Sequence, residues 1–141
     1  MKINLQAMAA IFLTVAFSIS TVRAAFENEK PLVVTITSEW CATCQKLKPV
    51  IDELKDEYNG QVTFVTLSPS SKASLEEARE TAEEYGVSEF LEHSRGVFPT
   101  VGFLCPQGKK VEKVFVGETN KEVYEEALDE LLSNTARICS L

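Results

Sequence analysis

The chain predicts an α/β fold: a four-stranded mixed sheet with helices on both faces, in the order β-α-β-α-β-β-α. Two β-branched, apolar runs, PLVVTIT (31–37) and QVTFVTL (61–67), flank a segment with helical spacing. A second pair of runs, TVGFLC (100–105) and VEKVFVG (111–117), is separated by PQGKK, a hairpin turn with Gly108 available for positive φ. Strands joined through a helix run parallel with a right-handed crossover, and hairpin strands run antiparallel. Both connections in one sheet make it mixed, with helices on its two faces.

The first strand is almost wholly apolar, as a strand buried on both faces must be. The helix after it places Leu47, Val50, Ile51, Leu54 and Tyr58 on one face, and Asn59-Gly60 ends it. After the second strand, SPSSKAS is a loop. Ser74 and Glu77 have the spacing of a capping box for the next helix. That helix turns Leu75, Ala78, Ala82 and Tyr85 inward, and Glu76, Glu77, Glu80, Glu83 and Glu84 form a solvated face. EFLEHSRGVF (89–98) is ambiguous, with a short helix followed by a loop as one reading. Thr119 and Glu122 suggest a capping box for the last helix, which buries Val123, Tyr124, Ala127, Leu128, Leu131 and Leu132. The tail NTARICSL reads as irregular.

A length of 141 residues suits one domain. Residues 1–24 read as a signal peptide: Lys2, an apolar run over 8–19, then small residues Val22 and Ala24 before a cleavage point. Residues 25–141 are then the folded domain. An uncleaved membrane anchor is the alternative, and membrane contact is expected only in that case. The formal net charge of −7 argues against nucleic acid or anionic lipid as a main partner. Export would place the four cysteines where disulfides persist.

The chemistry concentrates in SEWCATCQKLKPV (38–50). Cys41 and Cys44 follow a strand and open a helix. A thiol at a helix N-terminus faces unpaired N–H groups and the positive end of the dipole, which favour its thiolate. The second thiol, one turn in, can attack the first once the first is bonded elsewhere, as thiol–disulfide exchange requires. A structural disulfide is the plainer reading. A zinc site with His93 and Cys105 or Cys139 is weaker, because there is no second C-x-x-C pair. His93, the single histidine, lies among polar residues and reads as a surface group.

EWCATCQKLKP resembles the active-site segment of the thioredoxin family, with Trp40 before Cys41 and Pro49 five residues after Cys44. GVFPTVGFL resembles the family's cis-proline segment, and Gly117 follows the last strand as it does in the family. The resemblance covers roughly residues 30–133 and implies a minimal thioredoxin fold. It implies a protein-disulfide oxidoreductase with Cys41 as nucleophile and Cys44 as resolving thiol. Trp40, Phe98 and Pro99 would bind the substrate chain. No cofactor is expected. The implied partners are disulfide-containing proteins and a thiol-redox protein that donates or accepts electrons. With the N-terminal segment read as an export signal, the expected compartment is a periplasm or thylakoid lumen.

Two departures stand out. Thr35 occupies the place where the family often has a buried aspartate, and Thr66 that of its lysine partner, which leaves the proton-transfer step to a bound water or Glu39. SEFLEHSR is an insertion near the expected substrate groove. In this topology the third strand and last helix both run away from the active end. Cys105 and Cys139 are therefore expected at the opposite pole, as a disulfide or as two free thiols. The competing functions are a non-catalytic binding module on the same fold and a metal- or haem-delivery chaperone.

Overall fold

A computed structural model describes residues 30–108 and 110–139; the expected signal peptide or anchor over residues 1–24 lies outside the described residues. Strand β1 (Leu32–Ile36) leads into α1 (Ala42–Glu57), then β2 (Thr63–Leu67), α2 (Lys72–Glu84) and α3 (Ser88–Ser94). Strand β3 (Thr100–Leu104), a short 3-10 turn at Pro106–Gly108, β4 (Val111–Val116) and α4 (Lys121–Ile138) complete the order. The four strands form one mixed sheet in the order β2-β1-β3-β4. Strand β1 is parallel to β2 and antiparallel to β3, and β3 is antiparallel to β4. Among the described residues, no helix is long and apolar enough to cross a membrane.

The two central strands, β1 and β3, are buried at every position. Alternation along them sends side chains into two cores. Leu32, Val34, Ile36, Val65, Leu67 and Leu104 pack with Ala78 and Ala82 of α2 and Phe90 and Leu91 of α3. On the other face Val33, Val101 and Phe103 pack with Leu47, Ile51 and Leu54 of α1 and Tyr124 and Leu128 of α4. Phe103 stacks on Tyr124 with ring centroids 6.1 Å apart, and Phe115 meets both rings edge-on.

Several local details depart from the sequence reading. The N-cap of helix α2 lies three residues before the expected one: it is Ser71, whose hydroxyl accepts from Ser74 N at 3.1 Å while Ser71 N donates to Ser74 Oγ at 2.9 Å. A serine thus fills the reciprocal role expected of Glu77. Helix α4 is capped by Asn120, whose side chain accepts from Glu122 N, rather than by Thr119. The tail is not irregular before Ile138. Helix α4 runs through Ile138, and Ser133 Oγ and Asn134 Nδ2 fold back onto carbonyls of the preceding turn, at 2.7 Å and 3.0 Å.

The ambiguous 89–98 segment is a helix with a packed face. Phe90 lies so close over Gly102 of β3 that a Cβ at that glycine would collide with its ring. Arg79 of α2 donates to Glu92 of α3 at 3.0 Å on the outer side. The insertion is therefore part of one core, and it leads through Gly96 directly to Val97 and Phe98.

Candidate active site

The strand-to-helix turn after β1 presents Cys41 as the N-cap of α1, with extended backbone (φ −87°, ψ 111°). Its Sγ accepts a hydrogen bond from Cys44 N at 3.1 Å. Sulfur takes the place that a serine or aspartate oxygen fills in an ordinary N-cap. The first turn of α1 carries no acidic residue, so nothing there opposes negative charge on that sulfur. Cys41 and Cys44 are joined as a disulfide with Cα atoms 5.2 Å apart. Both residues are buried, Cys44 the more deeply. Helix α1 continues through Pro49.

The structure brings the other expected site residues to this turn. Trp40 is 71% exposed. Its ring meets Phe98 edge-on, centroids 5.6 Å apart at 86°. The Phe98–Pro99 peptide is cis. Pro99 is buried, and its carbonyl accepts from Gly117 N at 2.9 Å. Thr100 Oγ1 donates to Val97 O at 2.8 Å. The loop entering β3 is therefore held at both ends. Trp40, Phe98 and the exposed Val97 form an apolar rim beside the cysteine pair.

Behind the pair lies a cavity of about 400 Å³ between α1 and the β1–β2 edge. Cys44 lines it; Cys41 is not among its wall residues. Thr35, Thr37, Ser38, Thr66 and Ser68 are among its wall residues, and Thr35 and Thr66 are register partners across β1 and β2. Thr35 is 5% exposed. Glu39, Lys48, Asp52 and Lys55 also line the cavity. Lys48 donates to Asp52 at 2.7 Å and Lys55 stands 3.8 Å from it, and the Lys48 bond chiefly holds the Asp52 carboxyl below its ordinary range. Sequence reasoning passed over Ser38, which reads as an ordinary loop serine. It is 3% exposed and its hydroxyl has no protein partner.

Cys105, at the end of β3, is disulfide-bonded to Cys139, the C-cap of α4, with Cα atoms 5.5 Å apart. Cys105 is 1% exposed and donates its N–H to Lys110 O at 2.8 Å. His93 is exposed on α3, with Nδ1 3.0 Å from Glu89 O. The zinc reading has no geometric basis, since Cys105 and Cys139 are bonded to each other. Among the described residues, no group of three or more His, Cys, Asp or Glu is placed to hold a metal.

Comparison with known proteins agrees with this arrangement. A family model described as Thioredoxin matches residues 15–130. The chain is 29% identical over 107 residues to "Thioredoxin M-type, chloroplastic" of Spinacia oleracea, covering 76% of this chain and 50% of that protein. It is 28% identical over 106 residues to a thioredoxin of Synechocystis sp., covering 75% of this chain and 84% of that protein. A thioredoxin of Rickettsia conorii is 34% identical over 61 residues, 43% of this chain and 52% of that protein. The chain thus spans about half the length of the spinach and Rickettsia relatives and most of the Synechocystis one.

Proposed function

The chain belongs to the thioredoxin family, and on that premise we propose that it is an exported thiol–disulfide oxidoreductase that reduces or exchanges disulfides in partner proteins. The observation that carries this reading is the position of Cys41. As an N-cap whose Sγ already accepts an N–H, it is set to attack and to leave as a thiolate. Reduced Cys41 attacks one sulfur of a substrate disulfide and forms a mixed disulfide, and the other substrate sulfur leaves as a thiolate. Cys44 then attacks Cys41, forming Cys41–Cys44 and releasing the second substrate thiolate. A thiol-redox partner protein reopens the couple, and the reverse sequence would oxidise substrates.

The Trp40–Phe98 rim and the backbone at cis-Pro99 are the surface against which an extended substrate segment would lie. Export, to a periplasm or thylakoid lumen with or without a retained anchor, draws its support from the N-terminal sequence pattern. The Cys105–Cys139 disulfide favours the same reading, since such a bond persists in an oxidising compartment.

The test is a Cys44→Ala variant expressed with its own leader. It should accumulate mixed disulfides with partner proteins at Cys41, visible as reductant-sensitive adducts. A variant that traps nothing in its own compartment would leave a non-catalytic binding module. The reduction potential of Cys41–Cys44 then sets the direction: about −270 mV marks a reductant and about −120 mV a donor of disulfides.

A further inference from the structure

Thiol–disulfide exchange is fastest when the departing sulfur is a stable thiolate, and it needs a path to the other sulfur of the bond. In the oxidised couple the two sulfurs differ on both counts. Cys41 Sγ, at the N-cap of α1, accepts from Cys44 N at 3.1 Å, a contact that favours it as a departing thiolate. Cys44 is 5% exposed, and burial disfavours charge on it. An attacking thiolate is therefore favoured at Cys44 Sγ, with Cys41 as the leaving group. Access divides the same way. Trp40, Val97 and Phe98 form the apolar rim, and none of the three lines the cavity of about 400 Å³ behind the pair. Cys44 is a wall residue of that cavity and Cys41 is not. The wall residues Thr66 and Lys48 are exposed, so the cavity reaches solvent between α1 and the edge strand β2. A thiol of four heavy atoms needs about the share of four waters, roughly 30 Å³ each, and fits there. A thiol carried on a folded protein does not. Glu39, Lys48, Asp52 and Lys55 bring equal numbers of both charges to the wall, so size rather than charge selects what enters.

We infer that the oxidised couple has a second entrance: a low-mass thiol enters the cavity, attacks Cys44 and displaces Cys41, while proteins exchange at Cys41 from the rim. This rests on the oxidoreductase reading and names a second class of electron donor for it. The electron pair of the entering thiolate forms the bond to Cys44 Sγ, the Cys41–Cys44 bond breaks, and Cys41 leaves as a thiolate. A second molecule of the thiol, also deprotonated, attacks the outer sulfur of the Cys44 adduct. Cys44 departs and takes up a proton from water, and the two small thiols leave joined as their disulfide. The couple gains two electrons, one from each thiol. A compartment that holds a low-mass thiol then recharges the couple without a protein reductant.

The site of attack is read by mixing the oxidised protein with 2-mercaptoethanol, quenching with acid within a fraction of one turnover, and mapping the adduct by peptide mass spectrometry. Adduct on Cys44 should exceed adduct on Cys41 by about tenfold. A decapeptide with a central cysteine should reduce the couple about tenfold more slowly than 2-mercaptoethanol at equal thiolate concentration. Thr66→Phe adds bulk at the cavity mouth from the edge strand and should slow reduction by 2-mercaptoethanol about tenfold. Lys55→Trp, which adds bulk from α1, should slow it by a smaller factor. Cleavage of insulin disulfides by either reduced variant should stay within about twofold of the parent, a spread within ordinary surface-substitution effects. Adduct mainly on Cys41 overturns the inference, as does a reduction rate indifferent to both variants and to the bulk of the thiol. Failure of the reduced parent to cleave insulin disulfides would instead overturn the oxidoreductase reading itself.

Discussion

Cys41–Cys44 joins residues three apart at the N-terminus of α1, whereas Cys105–Cys139 joins residues thirty-four apart and ends at the C-terminus of α4. The chemistry of the two bonds is the same and their surroundings are opposite. A thiolate released at Cys41 meets unpaired N–H groups; one released at Cys139 meets the carbonyl end of a helix. Closing a short loop removes little entropy from the unfolded chain, and closing a long one removes more. One bond is thus placed to open and the other to hold. Helix polarity and loop length, rather than cysteine count, separate the redox couple from the staple.

The largest expected effect comes from deleting each bond in turn. Replacing Cys105 and Cys139 together by serine should cost about 4 kcal/mol in urea unfolding under non-reducing conditions, with exchange activity retained in the folded fraction. Replacing Cys41 and Cys44 together should abolish exchange at a cost of about 2 kcal/mol or less. Equal stability losses would erase the distinction between the two bonds.

A smaller effect is expected at the pole that holds Cys105. Gly108 has φ +65°, and a Cβ there would run into the Gly86 carbonyl. Gly108→Ala should destabilise by about 1–3 kcal/mol in the same unfolding assay and leave the rate of Cys41 alkylation unchanged. An effect on alkylation would mean that the two poles are coupled.

Next is the polarity argument itself. Thr43→Glu places a carboxylate in the first turn of α1, where none now stands. It should disfavour the Cys41 thiolate and slow iodoacetamide alkylation near neutral pH by about two- to fivefold. A rate equal to the parent's would show that the helix terminus contributes little.

The smallest effect concerns the link between α1 and α4, the helices that carry the two bonds. Tyr58 donates to Asp129 at 3.0 Å, and burial, aided by that bond, pushes its hydroxyl up from 10.0 to about 12. Because the folded value is the higher, the contribution of Tyr58 is complete below pH 10 and is lost as pH rises through about 12. Tyr58→Phe should lose about 1 kcal/mol or less at neutral pH. It should also flatten the decline in stability between pH 10 and 12, followed by urea unfolding at several pH values.

Much of this molecule was legible because it is local. Apolar runs and helical spacing announced β1, α1, β2 and α4, and Cys41–Cys44 could be placed on a helix start from adjacent residues alone. The misplacements were also local, where near-equivalent polar residues compete. Ser71 and Ser74 offer caps three positions apart, and propensity does not choose between them. Ser133 and Asn134 look like loop residues, yet the helix runs through them to Ile138.

By itself the sequence determined the four strands, the first two helices, the start of the last one and which thiol begins a helix, since those depend on neighbours within a few positions. Only the tertiary structure decided what stands behind Cys44 and whether Cys105 meets Cys139. The sheet register sets Thr35 beside Thr66, and the packing of α1 over them leaves a cavity instead of a filled core. The meeting of Cys105 with Cys139 requires β3 and α4 to end at the same pole. Such distances are properties of packed elements, and no local pattern encodes them.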